Sequence, residues 1–239
     1  MLSKTYQQDA RSTESEREAD YYNEWLARGP RFRASAEMVR DIALQASGLL
    51  TPVIGGPSVF PPQPASIWEN LFIEGGLKKW PESMGADRYR RGMYTYIKRT
   101  ALHPMLRNFD APSRSVCTVR RKRSNTPLAA LNTLNDPAFV EFSGGLAQVL
   151  ARHEGSVVDK ITEGFLRCAS RPPRGEELRA VQALLVDEYK KYHEDEGLAR
   201  TLIHAAFVKP PTVDDPADLA AWIVVANILL NMDATLSKG

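Results

Sequence analysis

From Thr126 to the C-terminus, apolar positions recur at helical spacing, and most runs open on a residue able to accept from a helix's first free N–H groups. Thr126-Pro127 sets a cap and then proline at the first helical position, where the missing N–H costs nothing, ahead of Leu128, Leu131 and Leu134. Asp136-Pro137 repeats the device before Phe139, Phe142, Leu146, Val149 and Leu150. Ser156 opens a helix through Val157, Ile161, Phe165 and Cys168, and Glu176 to Glu194 reads as a long one with Leu178, Val181, Leu185 and Tyr189 inward. Asp215-Pro216 starts the last, which is apolar nearly all round and is expected to sit centrally.

The first half is less regular. Ser35 can cap a helix with Met38, Ile42, Ala46 and Leu49 on one stripe and Glu37 in its first turn. Thr51 to Pro64 is dense in proline and holds Gly55-Gly56, which predicts an ordered loop or a boundary. Leu71 to Arg88 is a second irregular stretch. Loops of this length are uncommon unless functional or pinned to a neighbour. They carry Val53, Ile54, Val59, Phe60, Leu71, Phe72 and Ile73, which are expected to pack on absent residues or on a second copy of the chain. Met93 to Arg99 fits a strand or a helical turn. The expectation is a mainly α fold, an irregular helical bundle with long Pro/Gly-rich loops in its first half. It reads as one helical domain over residues 1–239, with a loop-rich half 1–125 and a helical half 126–239.

At 239 residues, with 43% hydrophobic and 25% charged content, the chain is long enough to bury a core. A net charge of +2 and a pI of about 8.5 are too mild for a dedicated nucleic-acid binder, so its basic character is local. No apolar stretch reaches the roughly 18 residues of a membrane span, and Leu219 to Leu230 is interrupted by Asn227. Cys117 and Cys168 form no Cys-x-x-Cys-His, so c-type haem attachment is not encoded and no cofactor is expected in this chain. Both thiols read as buried and free, with a disulfide open as the alternative in an oxidising compartment.

The densest charge lies just before Thr126. Arg114, Arg120, Arg121, Lys122 and Arg123 follow Asp110 between two turn signals and precede Asn125. Guanidinium forks bind carboxylates, sulfates and phosphates bidentately, which suits the block to an anionic ligand. On the other reading these arginines are struts, paired with Glu69, Glu74 or Asp136 or capping buried loop carbonyls. Tyr89, Tyr94 and Tyr96 lie upstream, with Trp68 and Trp80 in the preceding loops; they either face sugar rings or plug the core beneath the loops. The candidate ligand-binding set is Asp110, Arg114, Arg120, Arg121, Arg123, Asn125, Tyr94 and Tyr96. His103, His153, His193 and His204 form no ligand pair at helical spacing, so no metal site is expected. Gly55-Gly56-Pro57-Ser58 lacks the Lys-Ser/Thr ending of a phosphate loop and reads as a turn.

The stretch from Phe109 to Leu128 resembles the signature block of a planctomycete-type domain of unknown function, number fifteen-fifty-three in its series. Ala27 to Arg33 with Ser35 to Asp41 is similar to that family's entry into a helix, and Ile54 to Val59 to its glycine-proline loop. Tyr94 to Thr100 and Leu229 to Asp233 continue the likeness in the same order. Ile97, where members commonly carry an aromatic, and Ala101 to Pro104, where a proline-rich stretch is usual, depart from it. The resemblance implies the C-terminal part of a domain from large exported proteins, periplasmic or at the cell surface, often accompanied by a c-type haem domain. It also implies that the domain begins upstream of Met1, whose neighbours up to Tyr6 lack the apolar run of a signal peptide. Expected partners are other domains of the same parent protein, a polysaccharide or other anionic ligand, and a second copy of the chain; a nucleic acid is not expected. Two functions stay open. One is a helical module, non-catalytic by itself, holding an anionic or carbohydrate ligand. The other is part of an enzyme acting oxidatively on sugars, with electrons passing to the haem domain.

Overall fold

A computed structural model describes residues 3–64, 67 and 80–238 of the chain. Along it run α1 (Glu14–Ala19), β1 (Phe32–Arg33), α2 (Ala36–Ala46), 3-10 turns at Gly85–Tyr89 and Gly92–Tyr94, α3 (Pro104–Asn108) and α4 (Pro127–Asn135). Then follow α5 (Pro137–Arg152), α6 (Val157–Ala169), α7 (Gly175–Glu194), α8 (Glu196–Ala206), α9 (Pro216–Asn231), α10 (Asp233–Leu236) and β2 (Ser237–Lys238). With 54% helix against 4% strand the fold is mainly α. The positions of Trp68, Glu69, Leu71, Phe72, Ile73 and Glu74 lie outside the described residues.

Capping places the helices where the residue pattern expects them. Thr126, Asp136, Ser156 and Asp215 each accept a backbone N–H from the first turn they precede. α9 is the centre: it packs against α5, α7 and α8, and eleven of its sixteen residues are buried, which is why it has no polar face. Asn227, the polar residue within its apolar run Leu219 to Leu230, donates to Ser143 Oγ at 3.2 Å. α5 meets α8 at Gly144, where a Cβ would lie 2.5 Å from the Ala206 carbonyl oxygen, so only glycine permits that approach.

Three details differ from the residue pattern. α4 turns Leu128 and Leu131 to solvent and buries Ala129, Asn132 and Thr133 instead, because Thr133 and Asn132 hydrogen-bond to Asn231 and Asp136 inside the bundle. On α2, Met38 is exposed and the buried face is Ala36, Val39, Arg40, Ala43, Leu44 and Ala46; Ser35 makes no side-chain cap. The helix ending at Glu194 is followed at once by α8, capped by Asp195, which accepts from Leu198 N–H at 3.1 Å.

Arg40 explains how the irregular half is tied on. It is fully buried, and its Nε and Nη2 donate to the carbonyls of Arg90 at 3.3 Å and Arg88 at 2.7 Å. Burial pulls its pKa down to about 10, so it stays charged at neutral pH. Arg88 in turn donates to both carboxylate oxygens of buried Glu141 at 3.0 and 2.9 Å, and Tyr89 donates its hydroxyl to the same group. Arg90 caps the carbonyls of Pro57, at 3.0 Å, and Gly55, with its guanidinium 4.0 Å from the Tyr94 ring centre. Gly92 lies so close to α2 that a Cβ there would sit 2.7 Å from the Glu37 carbonyl, and its N–H donates to Asp41 at 2.6 Å.

The stretch from Thr51 to Pro64 is therefore pinned by its own chain at its start and at Val59, through bridges Thr51–Arg90 and Val59–Thr95. Val59 is buried, whereas Val53 and Ile54 between the two bridges are exposed. Met93 to Arg99 forms no named strand: a 3-10 turn ends at Tyr94, and Thr95 makes an isolated bridge. Trp80 plugs the underside: its Nε1 donates to the Pro61 carbonyl at 2.6 Å, and it meets Phe60, Tyr96 and His103.

Exchanging Arg40 for Met strands two buried carbonyls and is expected to cost about 3–5 kcal/mol in urea unfolding. A loss below about 1 kcal/mol would show that water or a relaxed backbone satisfies them.

His103 gives a pH signature. Its Nδ1 accepts from Met105 N–H at 3.3 Å, so Nε2 carries the proton and faces the Pro62 carbonyl at 3.2 Å. Burial, only partly offset by the Pro62 contact, lowers its pKa from 6.5 to about 4. The unfolded chain binds a proton in that window which the folded chain refuses, so this contribution is whole above pH 6.5 and lost as pH falls toward 4. Asp136 has the opposite sign. Burial pushes it to about 6, so it favours the folded state at low pH and loses that as pH rises through 6. The stability gap between wild type and His103→Gln isolates the histidine and should shrink by about 3 kcal/mol on acidification through that window. A gap that does not change with pH would contradict the assignment.

Candidate anion-binding cleft

α3 ends at Asn108, and the chain turns out of it through Asp110 in the left-handed region, φ 58°. Phe109 stays buried as the anchor, and Ala111 N–H donates to the Leu106 carbonyl at 2.9 Å. The Asp110 carboxylate then takes two bonds from Ser124, its N–H at 2.6 Å and its hydroxyl at 2.7 Å. That staple closes the cationic block into a loop whose far end runs into the Thr126 cap of α4. Arg114 is held at φ 62°, a left-handed conformation that costs a residue with a Cβ about 1–2 kcal/mol.

β1 and the turn leading from it into α2 form the facing wall. Arg123 lies 5.3 Å from the Phe32 ring centre and Arg33 lies 5.4 Å from that of Phe109. Arg33 also donates to the Asn125 side chain. Arg121 pairs with Glu37 at 2.7 Å. Burial raises the Glu37 pKa, but the hydrogen bond and charge of Arg121 outweigh it and hold the group below the usual carboxylate value. Between these walls is a cleft of about 720 Å³, which Asp110, Val119, Arg120, Arg121, Lys122 and Arg123 line from the loop side and Arg33 from β1.

The cations of the loop are exposed, and their obligations differ. Arg121 is tied to Glu37 and Arg123 rests on Phe32, whereas Arg114, Arg120 and Lys122 are in no ion pair among the described residues. None of the loop arginines meets Asp136, whose carboxylate instead accepts from Ala138 N–H and Asn132. Exposed guanidinium groups on a stapled loop can take a carboxylate or sulfate without first breaking a buried contact.

Of the sequence-derived set, the structure gathers Asp110, Arg120, Arg121 and Arg123 on this cleft, and Asn125 borders it through Arg33. Arg114 belongs to the same loop but is not a lining residue. Tyr94 and Tyr96 serve the proline-rich stretch: Tyr94 Oη accepts from Gly55 N–H at 2.8 Å, and Tyr96 stacks on Phe60 with centroids 4.8 Å apart. Arg33, a lining residue, and Glu37, which pairs with Arg121, were missed because they lie some eighty residues upstream. The signal was the Arg31-Phe32-Arg33 spacing, which places cations on either side of an aromatic.

Cys117 is exposed in the loop, contrary to the expectation of two buried thiols, because no described residue covers the loop's crest, where Val116 and Val119 also face solvent. Cys168 is buried in α6, where burial pushes its thiol up to about 12. With one cysteine on the surface and one in the core, the two are free and not joined in a disulfide. Among the described residues no cluster of three or more His, Cys, Asp or Glu is placed to hold a metal, and no helix is long and apolar enough to cross a membrane.

Comparison with known proteins adds one match. Residues 1–185 fit the family model described as PSD1, Protein of unknown function (DUF1553). No curated protein and no solved structure matches the chain. The match takes in α1 through most of α7, with both walls of the cleft and the whole cationic loop inside it. The chain therefore belongs to the DUF1553 family of proteins of unknown function.

Proposed function

We propose that this chain is a binding module, non-catalytic by itself, whose stapled cationic loop holds a carboxylate- or sulfate-bearing carbohydrate for a larger protein. The observation that carries this is a division of labour among the arginines. Arg40, Arg88 and Arg90 supply donors to loop carbonyls and to buried Glu141, while Arg114, Arg120 and Lys122 stay exposed and in no ion pair among the described residues. Among the described residues the block makes one ion pair, Arg121 with Glu37; Glu69 and Glu74, two of the acids weighed as its strut partners, lie outside them. A guanidinium in no ion pair among the described residues, and exposed, can present its fork to a ligand oxyanion. On the family likeness, the parent protein is exported and any haem belongs to a separate domain.

The ligand reading and a purely structural one separate in a single double variant. Replacing Arg120 and Lys122 by Ala is expected to weaken binding to heparin or polygalacturonate by about tenfold, with an affinity that falls as salt is raised. Stability in urea should stay within about 0.5 kcal/mol of wild type, as for exposed side chains without buried partners. Unchanged affinity in that variant would remove the loop from the binding surface.

A further inference from the structure

A second cationic cleft, larger than the first, opens between the N-terminal segment and the junction of α6 with α7. Its volume is about 990 Å³. Arg11, Arg17, Arg28 and Arg31 reach it from one side and Arg171 and Arg174 from the other; Lys238 of β2 completes the cations. Asp9, Glu177 and Asp233 are the acids among them. Several of these groups have structural work. Arg171 makes a fork with Glu177 at 2.7 and 2.6 Å, and Arg28 donates to the carbonyls of Asp20 and Tyr21 at 2.8 and 3.0 Å. Arg174 is exposed and in no salt bridge among the described residues, and the partner of Arg31, Asp233, is itself exposed.

The two clefts are separated by the width of a two-residue ladder. Arg33, on the first cleft, is register partner to Ser237, on the second, and Phe32 is partner to Lys238. Arg31 and Arg33 thus carry charge from one cleft to the other past the Phe32 ring, over which Arg123 already lies. Beside the second cleft, Tyr21, Tyr22 and Trp25 are 76%, 80% and 75% exposed. They stand on an ordered turn: the Asp20 carboxylate accepts from Glu24 N–H at 2.7 Å and Trp25 N–H at 3.0 Å, and Arg28 holds the carbonyls beneath. A solvent-facing aromatic group on a fixed turn is a surface for the apolar face of a sugar ring.

We infer that the two clefts form one track for a single chain of an anionic polysaccharide, its charged groups on both sets of arginines and its rings against Tyr21, Tyr22 and Trp25. This rests on the anion-binding reading of the first cleft. Interleaved acids favour a glycan over a nucleic acid. Asp9, Glu177 and Asp233 offer acceptors to the several free hydroxyls of each sugar residue, where an internal nucleotide has at most one, and a net charge of +2 is mild for a nucleic-acid binder. A chain long enough to span the ladder gains from the second cleft through effective concentration, and a short fragment does not.

The test compares polygalacturonate with digalacturonate on the full chain, as wild type, Arg120→Ala/Lys122→Ala and Arg31→Ala/Arg174→Ala, with circular dichroism to establish folding. The polymer should bind wild type at least about tenfold more tightly than the disaccharide, and either double variant should abolish that advantage. Trp25→Ala should weaken polymer binding while leaving its salt dependence unchanged, since the ring carries no charge. If Arg31→Ala/Arg174→Ala leaves polymer affinity intact while the other variant lowers it, the track is wrong and the single-cleft reading stands. If the reverse holds, both the track and the first-cleft reading fall. A single-stranded oligonucleotide that binds as tightly as the polymer overturns the ligand class.

Discussion

A proline-rich backbone carries more acceptors than donors, and the first half of this chain is built around that imbalance. Every proline contributes a carbonyl and no N–H, so a loop such as Thr51 to Pro64 cannot satisfy itself when its base is buried. Arginine is the natural remedy, with five donors and no acceptor. Arg90 serves Pro57 and Gly55, Trp80 serves Pro61, His103 faces Pro62, and Arg40 beneath them serves the carbonyls of Arg88 and Arg90. Without these donors the irregular half would bury unpaired carbonyls, each at a cost of about 1–3 kcal/mol.

The same requirement decides which cations are left for a ligand. Arg40, Arg88 and Arg90 are committed to the interior, and Glu141 on α5 fixes Arg88 and Tyr89 from the helical side. The cations of the stapled loop and of the N-terminal cleft lie outside that network, on either side of the β1–β2 ladder. Their ring partners, Phe32, Phe109 and Phe165, set the height of individual guanidinium groups without neutralising them. The DUF1553 match ends within α7, so α8 and α9, which complete the core under these surfaces, follow it in the chain.

Much of the candidate cleft was legible and some was not. The charged block, its bounding turns and the helix start after it announced themselves locally, and Asp110, Arg120, Arg121 and Arg123 do share one cleft. Tyr94 and Tyr96 are near the block in sequence but attached to the proline-rich stretch, because the 3-10 turn at Gly92 sends them toward Gly55 and Phe60. The second cleft was not foreseen. Its cations come from the first thirty-one residues, from the α6–α7 junction and from the last strand, and no local pattern joins segments so far apart.

The sequence by itself determined the helices of the second half, because caps, first-turn prolines and apolar spacing act within a few residues, and it determined that α9 is central because that helix has no polar face. It also determined that a dense cationic loop precedes α4. Only the tertiary structure decided that Arg40 is inside and Leu128 and Leu131 are outside, since hydrophobicity alone ranks them the other way. That inversion arises from carbonyls fifty residues downstream in one case and from small polar groups bonded inside the bundle in the other. Which arginines became struts and which stayed on the surface depended on where the chain returned, a property of the packed whole that no window of sequence contains.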